Sequence, residues 1–178
     1  MLDAGPRSAG LGGDSAASRG SIVGTIGHLS GHRVVCAAFD FRYIGCGGSG
    51  ESTERLATAL ERGAGCDGVV LVTAGGGALA QEALGALLLK PTVVAARDQL
   101  AEARKPLLVV VSDPSCGGVA SGIVAMADII LAEPEPGVDA PDAAATATGL
   151  VDQVVPRERL AGIIGCILDA LEPPPRLT

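Results

Sequence analysis

The chain has 178 residues, a net charge of −7, 48% hydrophobic residues and only 2% aromatic ones. That length suits one domain with a sizeable core, filled by Val, Leu, Ile and Ala rather than by aromatic rings. The acidity argues against free binding to nucleic acid or to an anionic membrane surface, because like charges repel.

Residues 1–20 are rich in Gly, Ser, Ala and Asp without a hydrophobic period, which predicts a disordered N-terminal arm. They lack the basic-then-apolar pattern of a secretory signal. A single domain is expected over 21–172, with order from about Ile22, and residues 173–178 form a tail. The apolar run 34–39 suits a buried strand. A Gly-rich stretch, 45–50, follows it. Residues 52–62 then read as a helix with Leu56, Ala59 and Leu60 on one face, closed by Gly63 and Gly65.

The same unit recurs twice. Residues 69–72 form a strand that runs into Gly75, Gly76 and Gly77 and a helix from about Ala78. Residues 107–111 form a strand that runs through 113–118 into a helix over 119–126. A fourth strand spans 129–132. This rhythm of strand, glycine turn and helix requires parallel crossovers, hence an α/β fold. Residues 133–148 read as a loop or a short Ala-rich helix, and 151–155 as a short edge strand. A last helix starts at Pro156. Its stripe of Leu160, Ile163, Ile164, Ile167, Leu168 and Leu171 marks a core face that could also meet another subunit.

Cys36, Cys46, Cys66, Cys116 and Cys166 are odd in number and show no Cys-x-x-Cys spacing, so neither a zinc ribbon nor a disulfide framework is expected. No metal-ligand set is visible. Four of the thiols read as buried, and Cys116 in its glycine turn stands apart. The apolar stretches are interrupted by Gln81, Glu82, Lys90 and Asp128, so no membrane span is expected and a cytoplasmic location is.

Gly45, Gly47 and Gly50 match G-x-G-x-x-G in form. A dinucleotide site also needs an acid ending the next strand. That strand ends at Thr73, Ala74 and Gly75, and Asp67 precedes it. Gly47 and Gly48 are better read as backbone against which a ligand or helix lies. The turns 73–78 and 113–118 say more. Each leads from a buried strand to a helix N-terminus, where unpaired N–H groups attract negative charge. Two such turns on adjacent parallel strands suit an oxyanion hole for a thioester enolate, although they could also be tight turns without a ligand. A side-chain nucleophile is hard to find, and Ser112 and Ser115 show no nearby base in the sequence. His28 and His32 lie far from both turns in sequence and read as surface or turn residues, and Cys116 has no base beside it.

At these residues the chain resembles the carboxyltransferase beta subunit of acetyl-CoA carboxylase. Residues 31–35 look like the family's entry strand, and 39–45 like its D-F-x-F-M-G-G segment. Residues 74–82 resemble A-S-G-G-A-R-M-Q-E, and 112–119 resemble T-D-P-T-T-G-G-V. Residues 127–134 resemble G-D-I-I-I-A-E-P. Gly149, Leu150, Val151 and Asp152, with Val155, Pro156 and Arg157, resemble the closing G-x-x-D-x-V-V-x-R segment. The resemblance covers residues ~22–172.

It implies a crotonase-like (ClpP/crotonase) ββα spiral, and transfer of a carboxyl group from carboxybiotin on a carrier protein to a coenzyme A or carrier-protein thioester. Gly117 and Gly118 would form one oxyanion site, with Gly76 and Gly77 in the neighbouring turn. Gly47, Gly48, Ala78, Cys116 and Val119 would line the substrate. The implied partners are a carboxyltransferase alpha-like subunit or a second copy, with a biotin carboxyl carrier protein or an acyl carrier protein. Some residues depart from the family. Gly75 stands where Ser is usual and Leu79 where Arg is usual, the beta-subunit zinc ribbon is not among these residues, and 134–148 replaces a longer segment near the acyl pocket. A malonyl-type thioester decarboxylase and a non-catalytic partner subunit therefore remain as alternatives.

Overall fold

The computed structural model describes residues 22–39, 50–75, 91–115, 124–134 and 151–171. In chain order these form β1 (Ile22–Leu29), β2 (His32–Phe39), α1 (Gly50–Gly63), β3 (Gly68–Gly75), α2 (Pro91–Glu102), β4 (Leu107–Ser115), β5 (Ile129–Ala132), β6 (Gln153–Val154) and α3 (Arg157–Leu171). The six strands make one mixed sheet in sequence order. β1 and β2 pair antiparallel from Leu29↔His32 outward. The pairs from β2 through β6 are parallel. The result is a single α/β domain.

The expected strands and the helix after the glycine-rich stretch are present. β1 is not among the predicted elements, because Gly24 and Gly27 break its apolar alternation. It forms as a hairpin arm. Ser30 (φ 51°) and Gly31 (φ 96°) make a two-residue turn with both residues at positive φ, the geometry that matches strand twist. α2 opens on Pro91, whose missing N–H costs nothing in a first turn. The sequence signal was weak there, since only Val93, Ala96 and Leu100 are buried. β6 is shorter than the predicted 151–155 but lies at the sheet edge as expected. The helices expected from Ala78 and over 119–126, and the loop beyond Pro134, lie wholly or mainly outside the described residues, as do the arm 1–20 and the tail 173–178.

The core has two sides because successive strand residues face opposite ways. Val35, Ala37, Val69, Leu71, Leu107 and Val109 pack with Leu56 and Leu60 of α1 and with Val93 and Leu100 of α2. Val34, Val70, Leu108 and Val110 pack with Ile164 and Leu168 of α3. Strands covered on both faces read as continuous apolar runs, which is how they appear in the sequence. Helix α3 comes close to the hairpin turn: a Cβ on Gly165 would stand 2.5 Å from Ser30 Cβ, and Ser30 Oγ donates to Ala161 O at 3.1 Å.

A repeated device sets the strand starts. The Arg33 N–H donates to Asp67 Oδ2 at 2.8 Å, and the Asp67 N–H donates back to Arg33 O at 2.7 Å. Leu107 and Asp128 make the same reciprocal pair at 2.7 and 2.9 Å. So do Ile130 and Asp152, at 2.7 and 2.9 Å. Each aspartate stands just ahead of one strand and clamps the start of a strand already laid down. Backbone groups at strand ends would otherwise need water or another partner.

Candidate active site

β3 and β4 are parallel neighbours, and their last residues pair as Gly75↔Ser115. The chain therefore leaves both strands at neighbouring points on one edge of the sheet. Gly76, Gly77 and Ala78 follow the first end; Cys116, Gly117, Gly118 and Val119 follow the second. Gly47 and Gly48 follow β2 and precede α1. All nine predicted site residues lie outside the described residues. What is described is the pair of strand ends from which seven of them depart.

Just inside that edge, Thr73 is buried and its hydroxyl donates to Val110 O at 3.3 Å. The hydroxyl of buried Ser112 donates to Glu133 Oε2 at 2.7 Å. Arg157 grips the same carboxylate with two nitrogens, Nε to Oε1 at 2.6 Å and Nη2 to Oε2 at 2.8 Å. The Arg157 side chain is 78% exposed, whereas that of Glu133 is only 11% exposed. Hydrogen bonding from Arg157 holds the Glu133 carboxyl below the ordinary carboxylate range. Burial opposes this shift, and Ser112 adds to it.

Glu133 and Arg157 also line an otherwise largely apolar cleft of about 490 Å³ between the sheet and α3, walled by Val72, Val110, Leu160 and Ile164 among others. A volume of that size falls in the usual range for small-molecule sites. Sequence reasoning did not assign these two charged residues a role. The available signal was a charge at each end of otherwise apolar motifs, Glu133 after 129–132 and Arg157 after Val154 and Val155.

The histidines sit elsewhere. β2 runs parallel to β3, with Val34 opposite Gly68, so His32 lies at the edge where β3 begins, opposite the edge where it ends. His28 is exposed, as expected. His32 is not a surface residue: it is buried, with its Nε2 2.9 Å from Asp169 Oδ1. An acid 137 positions away on α3 supplies the partner, and nothing local in the sequence announces it. Cys66 is buried and Cys36 half-buried, but Cys166 is exposed, contrary to expectation. Its neighbours Ile164, Gly165 and Leu168 take the buried face of α3, which turns position 166 outward. Burial pushes the Cys36 thiol up. Among the described residues no group of His, Cys, Asp or Glu is placed to hold a metal ion, and no helix is long and apolar enough to cross a membrane.

No family model matches the chain. A chain of the Pseudomonas malonate decarboxylase MdcD–MdcE hetero-dimer superposes with a TM-score of 0.66 over 95% of this chain and 82% of that chain, at 22% identity. The fold is therefore shared with that chain, and it is the crotonase-like α/β fold expected from the sequence. Carboxyl transferase subunit beta 2 of acetyl-coenzyme A carboxylase from Roseiflexus castenholzii is 34% identical over 168 residues, covering 83% of this chain and 56% of the relative. The fused beta/alpha subunits from Salinispora arenicola are 36% identical over 163 residues, covering 80% of this chain and 29% of the relative. The chain is a homologue of the acetyl-CoA carboxylase carboxyl transferase beta subunits, and it spans about half the length of the beta subunit it matches.

Proposed function

We propose that the chain is a carboxyltransferase beta-like subunit that moves a carboxyl group from carboxybiotin to an acyl thioester through an enolate. Its homology to the beta subunits carries this reading. The side-by-side ends of β3 and β4 support it, because the two glycine segments leave the sheet from neighbouring strand ends. In this reading the backbone N–H groups of Gly117 and Gly118 receive the enolate oxygen. Gly76 and Gly77 form the neighbouring turn, and Gly47, Gly48, Ala78, Cys116 and Val119 line the thioester. Fixed N–H dipoles aimed at developing negative charge stabilise it without reorganisation. Carboxybiotin, presented on a carrier protein, supplies the carboxyl group, and the acyl group rides on coenzyme A or an acyl carrier protein. The partner is an alpha-like subunit or a second copy, and the setting is the cytoplasm.

The experiment is a carboxyl-transfer assay on the purified chain with and without a carboxyltransferase alpha subunit, using acetyl-CoA and carboxybiotin. Biotin-dependent carboxyl transfer is expected. Release of CO2 from malonyl-CoA without biotin would replace this reading with decarboxylation, which needs the same oxyanion hole. Neither activity in an intact complex would leave a non-catalytic partner subunit.

A further inference from the structure

The ladder between β3 and β4 is regular from Val69↔Leu107 to Thr73↔Val111, then resumes at Gly75↔Ser115. Ala74 alone thus stands against Ser112, Asp113 and Pro114. On the other side, the ladder with β5 ends at Val111↔Ala132, followed by one bond from the Glu133 N–H to Val111 O at 2.9 Å. Residues 112–114 have therefore left the regular ladders on both sides, before Ser115 pairs with Gly75 again. Pro114 has no N–H to give to one.

Side chains take over at that point. Ser112 donates to Glu133, just past the end of β5, and Glu133 is held at both oxygens by Arg157, the first residue of α3. The planar guanidinium fixes the direction of the carboxylate as well as its charge. Three residues thus tie β4, the end of β5 and α3 together shortly before residues 116–118. An ion pair whose arginine is 78% exposed contributes little to stability, so what this link chiefly provides is direction.

We propose that Ser112, Glu133 and Arg157 are positioning residues that aim the end of β4, and with it the N–H groups of Gly117 and Gly118, at the thioester oxygen. The catalytic consequence rests on the enolate reading above; the aiming of the strand end does not.

The test compares Ser112→Ala, Ser112→Thr and Glu133→Gln with the parent chain in its active complex, with acetyl-CoA as substrate. A second readout is hydrogen–deuterium exchange of the peptide covering 113–120. Ser112→Ala and Glu133→Gln are expected to lower kcat on the order of tenfold or more, with KM within about twofold, because small misplacements of a catalytic group are costly. Exchange in 113–120 should rise in both variants, and Ser112→Thr, which keeps the hydroxyl, should restore both readouts. Asp128→Ala, whose clamp lies at the opposite edge of the sheet, should reduce stability but leave kcat per folded enzyme and this peptide's exchange unchanged. Unaltered exchange and kcat in Ser112→Ala and Glu133→Gln would overturn the proposal. An equal rise in exchange for Asp128→Ala would also overturn it, since general loosening would then suffice. Raised exchange in the two variants, with no thioester turnover even by the parent chain, would uphold the aiming and defeat the enolate reading.

Discussion

A carbonyl oxygen held by a backbone N–H must approach to about 3 Å, and a Cβ on the donor residue or its neighbour obstructs that approach. This is why the glycine pair after β4 carries the catalytic reading more than Cys116 does. Gly118→Val is expected to reduce turnover by about a hundredfold or more while the thermal unfolding temperature stays near that of the parent; wild-type turnover in a folded Gly118→Val protein would remove this turn from the site. Glu133 gives a second residue-scale prediction. Arg157 and Ser112 hold its folded pKa below its unfolded value, which is about 4.3 for a free Glu. Its contribution to stability is therefore complete above the unfolded value and is lost as pH falls through the folded one. The gap in unfolding free energy between the parent and Glu133→Gln should be widest near about pH 7 and close toward about pH 3. Urea titrations at both pH values measure it, and a gap independent of pH would show that the carboxylate charge does not matter.

At the scale of elements, the parts of the fold legible in the sequence were those whose burial is nearly continuous. Val34 and Val35, Val69 to Val72 and Leu107 to Val111 each stand out as apolar runs because both faces of the sheet are covered. β1 was not legible, since small residues dilute its pattern and antiparallel pairing with β2 specifies it instead. The aspartate clamps were legible in principle. Asp67, Asp128 and Asp152 each precede a strand, and the sequence alone used Asp67 only to argue against a nucleotide site. The N–H donor to each aspartate lies 21 to 34 positions away, beyond the reach of any local pattern. Of the candidate site, the strand ends followed from the sequence, whereas the Ser112–Glu133–Arg157 link needed three elements to be brought together. Asp128 tests the value of a clamp. It accepts the Leu107 N–H and also pairs with Arg97 Nη2 at 2.7 Å. Asp128→Ala should cost about 1.5–3 kcal/mol, the usual range for hydrogen bonds to a charged group, read as a lower urea midpoint at unchanged slope. A loss under about 0.5 kcal/mol would mean that water replaces the carboxylate without penalty.

At the scale of the whole molecule, the final expectation is that the chain does not work alone. The stripe on α3 was one reason for expecting this from sequence, and the structure weakens that reason. Ile164 and Leu168 are buried against the sheet, and Leu160, Ile163 and Ile167 are partly buried there. Leu171 remains 49% exposed, as do Val23 at 49% and Val94 at 43%, and these belong to three different elements. Specific interfaces bury on the order of 1,600 Å² in total, and among the described residues these three side chains do not by themselves define such a surface. The stronger argument is chemical. In the carboxyl-transfer reading one crotonase-type module holds the thioester and another presents the biotin, so two modules make one site. This chain's sheet supplies the two neighbouring strand ends that precede its glycine-rich segments. Sedimentation at micromolar concentration, alone and mixed with an alpha-like subunit, should show the catalytically active species to be a complex, with a hetero-complex favoured over self-association. A clean monomer that turns over acyl thioesters unaided would overturn this, because one module would then hold the complete site.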